Sequence, residues 1–138
     1  MRILLAVITG LLVAACGGPD DNDVDLTPYA GRFTVTEDWN RDEVDIQCSD
    51  PPTETFYNGV RIKIEGNVFG AEFDERWGDL AGGEIHEDTN FLATRGQQDG
   101  RIEFTGEYSD EDNFSAIMRD IRQGCTRIFD VVGIREAP

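Results

Sequence analysis

Residues 60–73, VRIKIEGNVFGAEF, alternate apolar and polar side chains on both sides of Gly66-Asn67. That dipeptide suits a two-residue hairpin turn of the primed kind. Pairing Glu65 with Val68 sets Ile64 opposite Phe69, Ile62 opposite Ala71 and Val60 opposite Phe73. The reverse face then holds Lys63 opposite Gly70 and Arg61 opposite Glu72. One face is wholly apolar and the other mostly polar with an opposite-charge pair, as a half-buried antiparallel sheet requires. A slip of one residue would mix the two faces, so the pattern predicts the register as well as the hairpin.

The same test extends through the second half of the chain. Arg101 to Tyr108 and Phe114 to Ile121 flank the acidic stretch Ser109 to Asn113. Setting Tyr108 opposite Phe114 aligns Gly106 with Ala116, Phe104 with Met118 and, on the reverse face, Glu103 with Arg119. Across Gln123-Gly124, Met118 meets Phe129, Ala116 meets Val131 and Asp120 meets Arg127. Shorter strands are expected at Gly31 to Glu37, Val44 to Cys48, Gly82 to His86 and Phe91 to Arg95, about nine in all, and no stretch has helical periodicity. Consecutive hairpins without a crossover helix make an all-β, up-and-down antiparallel meander. A sheet of this many strands closes into a small barrel to remove its edges, which makes the first and last strands neighbours.

Ahead of the β pattern, Ile3 to Ala15 (ILLAVITGLLVAA) run without a charge behind Arg2. The stretch is shorter than the roughly 20 apolar residues a membrane span needs and reads as the h-region of a secretory signal. Val13-Ala14-Ala15-Cys16 resembles the lipobox of bacterial lipoproteins. The resemblance implies cleavage before Cys16, a diacylglycerol on its thiol and a further acyl chain on its amine. Gly17, in the second mature position, implies by the same likeness sorting to the outer membrane. The expected organisation is a signal peptide at 1–15, a lipidated, disordered acidic tether at 16–28, and a β-barrel domain at 29–138. Of three cysteines the lipobox takes Cys16 and leaves Cys48 and Cys125, an even pair in an exported chain. A disulfide between them is expected, and barrel closure would bring the two together.

The chain carries 28 acidic and 12 basic residues, a formal net charge of −16. Such a surface repels nucleic acid and anionic headgroups and attracts cationic proteins, peptides or metal ions. The spacing Asp21, Asp23, Asp25 matches the opening of a calcium loop. However, Leu26 stands where that loop needs Gly and Arg32 where it needs Glu, so no metal site is expected there. Enzyme signatures are lacking: the single histidine, His86, belongs to no metal motif, and no GxSxG or P-loop occurs. The reading is non-catalytic and without cofactor.

Two features suggest an interaction role. The last strands carry apolar residues on their second face as well, namely Ile117, Ile121, Ile128, Val132 and Ile134. Either this face docks a partner, or it is covered by the N-terminal segment or by the loop Asp74 to Leu80 with Trp77 as its lid. The opening Gly31-Arg32-Phe33 resembles the Gly-x-Trp start of lipocalins and fatty-acid-binding-like proteins, with Phe33 at the Trp position. That likeness implies a carrier of a small hydrophobic ligand, unless Phe69, Phe73, Phe104, Met118 and Phe129 fill the interior themselves. The expected function is a membrane-anchored envelope binding module. The alternatives are an inhibitor of a cationic enzyme, since the chain is similar in type to small barrel lipoproteins that inhibit c-type lysozyme, and the hydrophobic-ligand carrier.

Overall fold

The computed structural model describes residues 24–43 and 48–138. The expected signal peptide, Cys16, most of the expected tether and residues 44–47 of the expected strand Val44–Cys48 lie outside the described residues. After a 3-10 turn at Thr27–Tyr29 come β1 (Gly31–Glu43), β2 (Phe56–Glu65), β3 (Val68–Phe73), β4 (Asp79–Ile85), β5 (Asn90–Gln97), β6 (Gly100–Asp110), β7 (Asn113–Arg122) and β8 (Cys125–Arg135). Each strand pairs with the next, and β1 pairs with β8, closing an antiparallel barrel.

Every register derived from the alternation is present. Glu65 pairs with Val68 and Val60 with Phe73. Tyr108 pairs with Phe114 and Phe104 with Met118, and Met118 pairs in turn with Phe129. The hairpin turns use glycine where the backbone goes left-handed, with φ of 62° at Gly66 and 79° at Gly124. The count differs from the expected nine: eight strands occur among the described residues. The first runs six residues past Glu37 along β8, reaching Glu43 opposite Thr126. Polar residues there, from Asp38 onward, break the apolar alternation, so the ladder continues on backbone pairing that side-chain pattern does not reveal. Cys48 follows closely and bonds to Cys125 at the start of β8, with the two Cα atoms 5.1 Å apart. The disulfide therefore staples the seam that closes the barrel.

Inward positions form one core. Phe33, Phe69, Phe91, Phe104 and Phe114 are fully buried together with Ile62, Leu80, Ile102 and Met118. The rings pack in a continuous chain: Phe69 stacks on Phe91 at 4.5 Å, and Phe91 meets Phe104 at 5.2 Å and Phe114 at 5.7 Å. Such pairs contribute about 0.5–1.5 kcal/mol each beyond the area they bury. The interior is thus occupied by side chains. Leu26, in the expected tether, is buried as well. With Tyr29 it stops one end of the barrel, where the Tyr108 hydroxyl donates to the Tyr29 carbonyl at 3.0 Å.

Candidate functional site

The two ends and the outer wall of the barrel carry its polar chemistry. At the end opposite Tyr29, Glu37 continues the inward series Phe33, Val35, and is only 1% exposed. The loop between β3 and β4 folds over it: Trp77 Nε1 donates to Glu37 Oε1 at 2.5 Å and packs edge-on against Phe129. Asn58 Nδ2 donates to Glu37 Oε2 at 3.0 Å and to the Glu75 carbonyl at 2.8 Å. Its Oδ1 accepts the backbone N–H of Gly59 and Glu75. Arg76 lies 3.9 Å from Glu37 and sits over the Phe56 ring. Burial holds the Glu37 carboxyl above its ordinary pKa, against the opposing pull of Trp77, Asn58 and Arg76. Trp77 is therefore a lid, but over the barrel mouth and not over the outer face where the sequence pattern expects it. A side chain in a loop has no periodicity to say which surface it will cover.

Beside that mouth, Arg127 donates from Nε and Nη2 to the two oxygens of Asp42 at 3.0 and 3.2 Å, and Trp39 Nε1 donates to Asp42 Oδ1 at 2.8 Å. The Arg127 hydrogen bonds hold the Asp42 carboxyl below its ordinary pKa. Asp42, Cys48 and Cys125 converge as three potential metal ligands. The two sulfurs are spent on each other, however, and the carboxylate on Arg127 and Trp39, so the group reads as an ion pair buttressing the disulfide. His86 is exposed and contacts Glu84 at 3.4 Å.

On the outer wall the expected apolar patch separates. Ile128 is fully buried, flanked in register by Arg41 and Arg119, while Ile117 and Ile121 are half-buried. Val132 and Ile134 stay exposed, at 47% and 57%. Among the described residues neither expected cover lies over them: the turn Thr27–Tyr29 and Trp77 close the two barrel ends instead. Closure of the sheet adds what the β7–β8 hairpin pattern could not show. Thr36 on β1 stands between Val132 on β8 and Tyr57 on β2, and Tyr57 is 69% exposed. Two residues further along β1, on the same face, Asp38 stands directly opposite Asp130, and both are exposed. Asp38 accepts from the Thr55 hydroxyl and Asp130 from Asn40 Nδ2 at 2.8 Å; neither has an ion-pair partner among the described residues. A shallow groove over Thr34 and Gly59 adjoins Tyr57 and is edged by Asp74, Glu75 and Glu136.

Alternation on β8 was a sufficient signal for Val132 and Ile134. Tyr57 and the Asp38–Asp130 apposition needed the β1–β8 closure register, which no single hairpin encodes. The chain matches no family model, and neither the curated proteins nor the solved structures include a match to it.

Proposed function

We propose that this protein is a lipid-anchored binding module of a bacterial envelope, exported, held by acyl chains on Cys16 at the outer membrane, and engaged with a cationic protein partner. The observation that carries the reading is the charge, −16 on 138 residues. A field of that sign speeds encounter with basic proteins and disfavours nucleic acid and anionic lipid surfaces. The lipobox likeness at Val13 to Cys16 supplies the anchor. Two or three acyl chains, at about 0.8 kcal/mol per buried methylene, hold a protein durably at a membrane. The non-catalytic character of the reading rests on the ionisable groups inside the fold. Glu37 fastens a loop and Asp42 an arginine, so each has a structural task.

Inhibition of a cationic enzyme such as lysozyme is the sharper version of the same reading and shares its electrostatic support. The carrier reading, with its lipocalin likeness, finds less support, because a ligand would have to displace the packed rings of Phe91, Phe104 and Phe114. The anchor is tested by labelling cells with radioactive palmitate: the wild type should incorporate label and fractionate with the outer membrane, and Cys16→Ser should do neither. Equal labelling of the variant, or none of the wild type, refutes the anchor. Partner class is tested by binding a strongly basic c-type lysozyme across a salt series, with cell-wall lysis as the second readout. Binding that fades as salt rises supports the reading, and loss of lysis selects the inhibitor. Absence of binding at low ionic strength refutes it.

A further inference from the structure

The outer face shared by β2, β1 and β8 combines two features that a solvated barrel wall has no use for. Tyr57, Val132 and Ile134 expose apolar surface in adjoining register positions, bridged by Thr34 and Thr36. Beside them Asp38 and Asp130 occupy directly opposed positions of the β1–β8 pair. Like charges facing each other across a sheet destabilise it. Among the described residues only neutral donors, Thr55 and Asn40, reach these two carboxylates. Elsewhere on the wall carboxylates find cationic partners, as with Asp74 and Glu136 on Arg32 at 2.7 and 3.3 Å and Glu72 on Lys63; even where Arg32 stands opposite Arg61, Arg32 is met by those two carboxylates. The groove next to Tyr57 is edged by three carboxylates, Asp74, Glu75 and Glu136; Arg32 pairs with the first and last of them, so an acidic excess remains.

From this juxtaposition we infer that the β2–β1–β8 face is the docking surface for a basic, partly apolar segment of a protein partner. A guanidinium or ammonium group would lie between Asp38 and Asp130, and a neighbouring apolar side chain would lie on Tyr57 and Val132. The inference rests on the proposed cationic-partner function and assigns it a place. Charge argues for this occupant over a second copy of the chain, because two bodies of formal charge −16 repel and this face would bring acidic pairs into contact. The partner cation would relieve the aspartate repulsion, and the flanking apolar contact would shield the ion pair from water, which strengthens it.

The test measures binding of basic c-type lysozyme, and of a soluble peptide alternating lysine and isoleucine, to the folded, disulfide-bonded protein at low salt. Four proteins are compared: the wild type; Asp38→Asn with Asp130→Asn; Tyr57→Ala with Val132→Ser; and Glu65→Gln with Glu87→Gln, which removes the same charge from exposed positions at the β2–β3 and β4–β5 turns, away from this face. The two face variants should weaken binding by about tenfold or more, and the distal variant by less than about threefold. The Asp38/Asp130 variant should also melt no lower than the wild type, because its aspartates oppose each other. Equal weakening by the aspartate and distal variants would mean that overall charge does the binding, which overturns the assigned face and leaves the cationic-partner reading standing. Failure of the wild type to bind either probe overturns the cationic-partner reading and the face together. Concentration-dependent dimerisation abolished by Tyr57→Ala with Val132→Ser overturns the assigned occupant.

Discussion

Glu37 shows how a single residue can be explained by packing and still leave a signature in solution. It is an acid in an inward position, sealed beneath Trp77, and its pKa is raised from 4.5 by burial. The folded state therefore holds the Glu37 proton more tightly than the unfolded chain does. Its effect on stability is unfavourable at neutral pH and is relieved as the pH falls through the raised value toward 4.5. Asp42 and Asp74 have the opposite sign. Hydrogen bonds from Arg127 and Arg32 respectively hold them below 3.8, so the stability they confer persists above 3.8 and is lost as the pH falls through their folded values. The melting midpoint should accordingly pass through a maximum in mildly acidic solution. Comparing the wild type with Glu37→Gln between pH 4 and 8 should give a difference that changes with pH; a constant offset would show that Glu37 keeps an ordinary pKa. Gly133 makes the complementary point about space, since a Cβ there would strike the ring of Phe114. Gly133→Ala should cost about 1–3 kcal/mol in denaturant titration, and a neutral result would mean that the core yields more readily than its packing implies.

Among the elements, the loop from Asp74 to Gly78 and the seam between β1 and β8 decide how the barrel is finished. The loop is pinned by one buried asparagine and one indole N–H, and Arg76 adopts a left-handed backbone with φ of 70°. Trp77→Phe keeps most of the ring contact with Phe129 but removes the donor to Glu37. The expected cost is about 1–3 kcal/mol, because a buried acceptor loses a partner. Faster amide exchange at Glu75, whose N–H is held by Asn58 Oδ1, would show that the loop has loosened. Protection identical to that of the wild type would show that Asn58 alone suffices. At the seam, the disulfide spans 77 residues, and in the chain-entropy model a loop of this length stabilises by about 4–5 kcal/mol. Replacing Cys48 and Cys125 by serine should lower the urea midpoint correspondingly, and a loss below about 1 kcal/mol would argue that the β1–β8 ladder with Arg127–Asp42 closes the barrel unaided.

At the scale of the molecule, closure is what turns a row of hairpins into a surface with two kinds of face. The interior is a packed column of aromatic rings stopped at one end by Tyr29 and at the other by Trp77. The exterior carries a large acidic excess and, among the described residues, an exposed apolar strip of Tyr57, Val132 and Ile134. Both properties follow from joining β1 to β8, since the strip lies astride that joint and the rings enclose one another only when the sheet curls fully. Raising ionic strength should leave the barrel folded while weakening any cationic partner, because screening acts on exposed charge far more than on buried area. Circular dichroism and binding measured in the same salt series would separate the two. Unfolding at low salt that is reversed by added salt would show that self-repulsion, and not the seam, limits stability.

What the sequence determined by itself was everything carried by alternation within a hairpin: the all-β class, the inward rings, the registers about Gly66 and Gln123-Gly124, and the outward facing of Val132 and Ile134. A period of two with polar turns leaves one low-energy pairing for adjacent strands, and that information is local. The pairing of Cys48 with Cys125 was legible too, from cysteine parity together with the expectation of closure. Only the tertiary structure decided the length of β1, the burial of Ile128 and Glu37, the place of Trp77, and the meeting of Asp38 with Asp130 beside Tyr57. Those facts depend on the register of strands about 90 residues apart and on where an aperiodic loop comes to rest. Such contacts are selected by the free energy of the closed barrel as a whole, and no short window of sequence contains it.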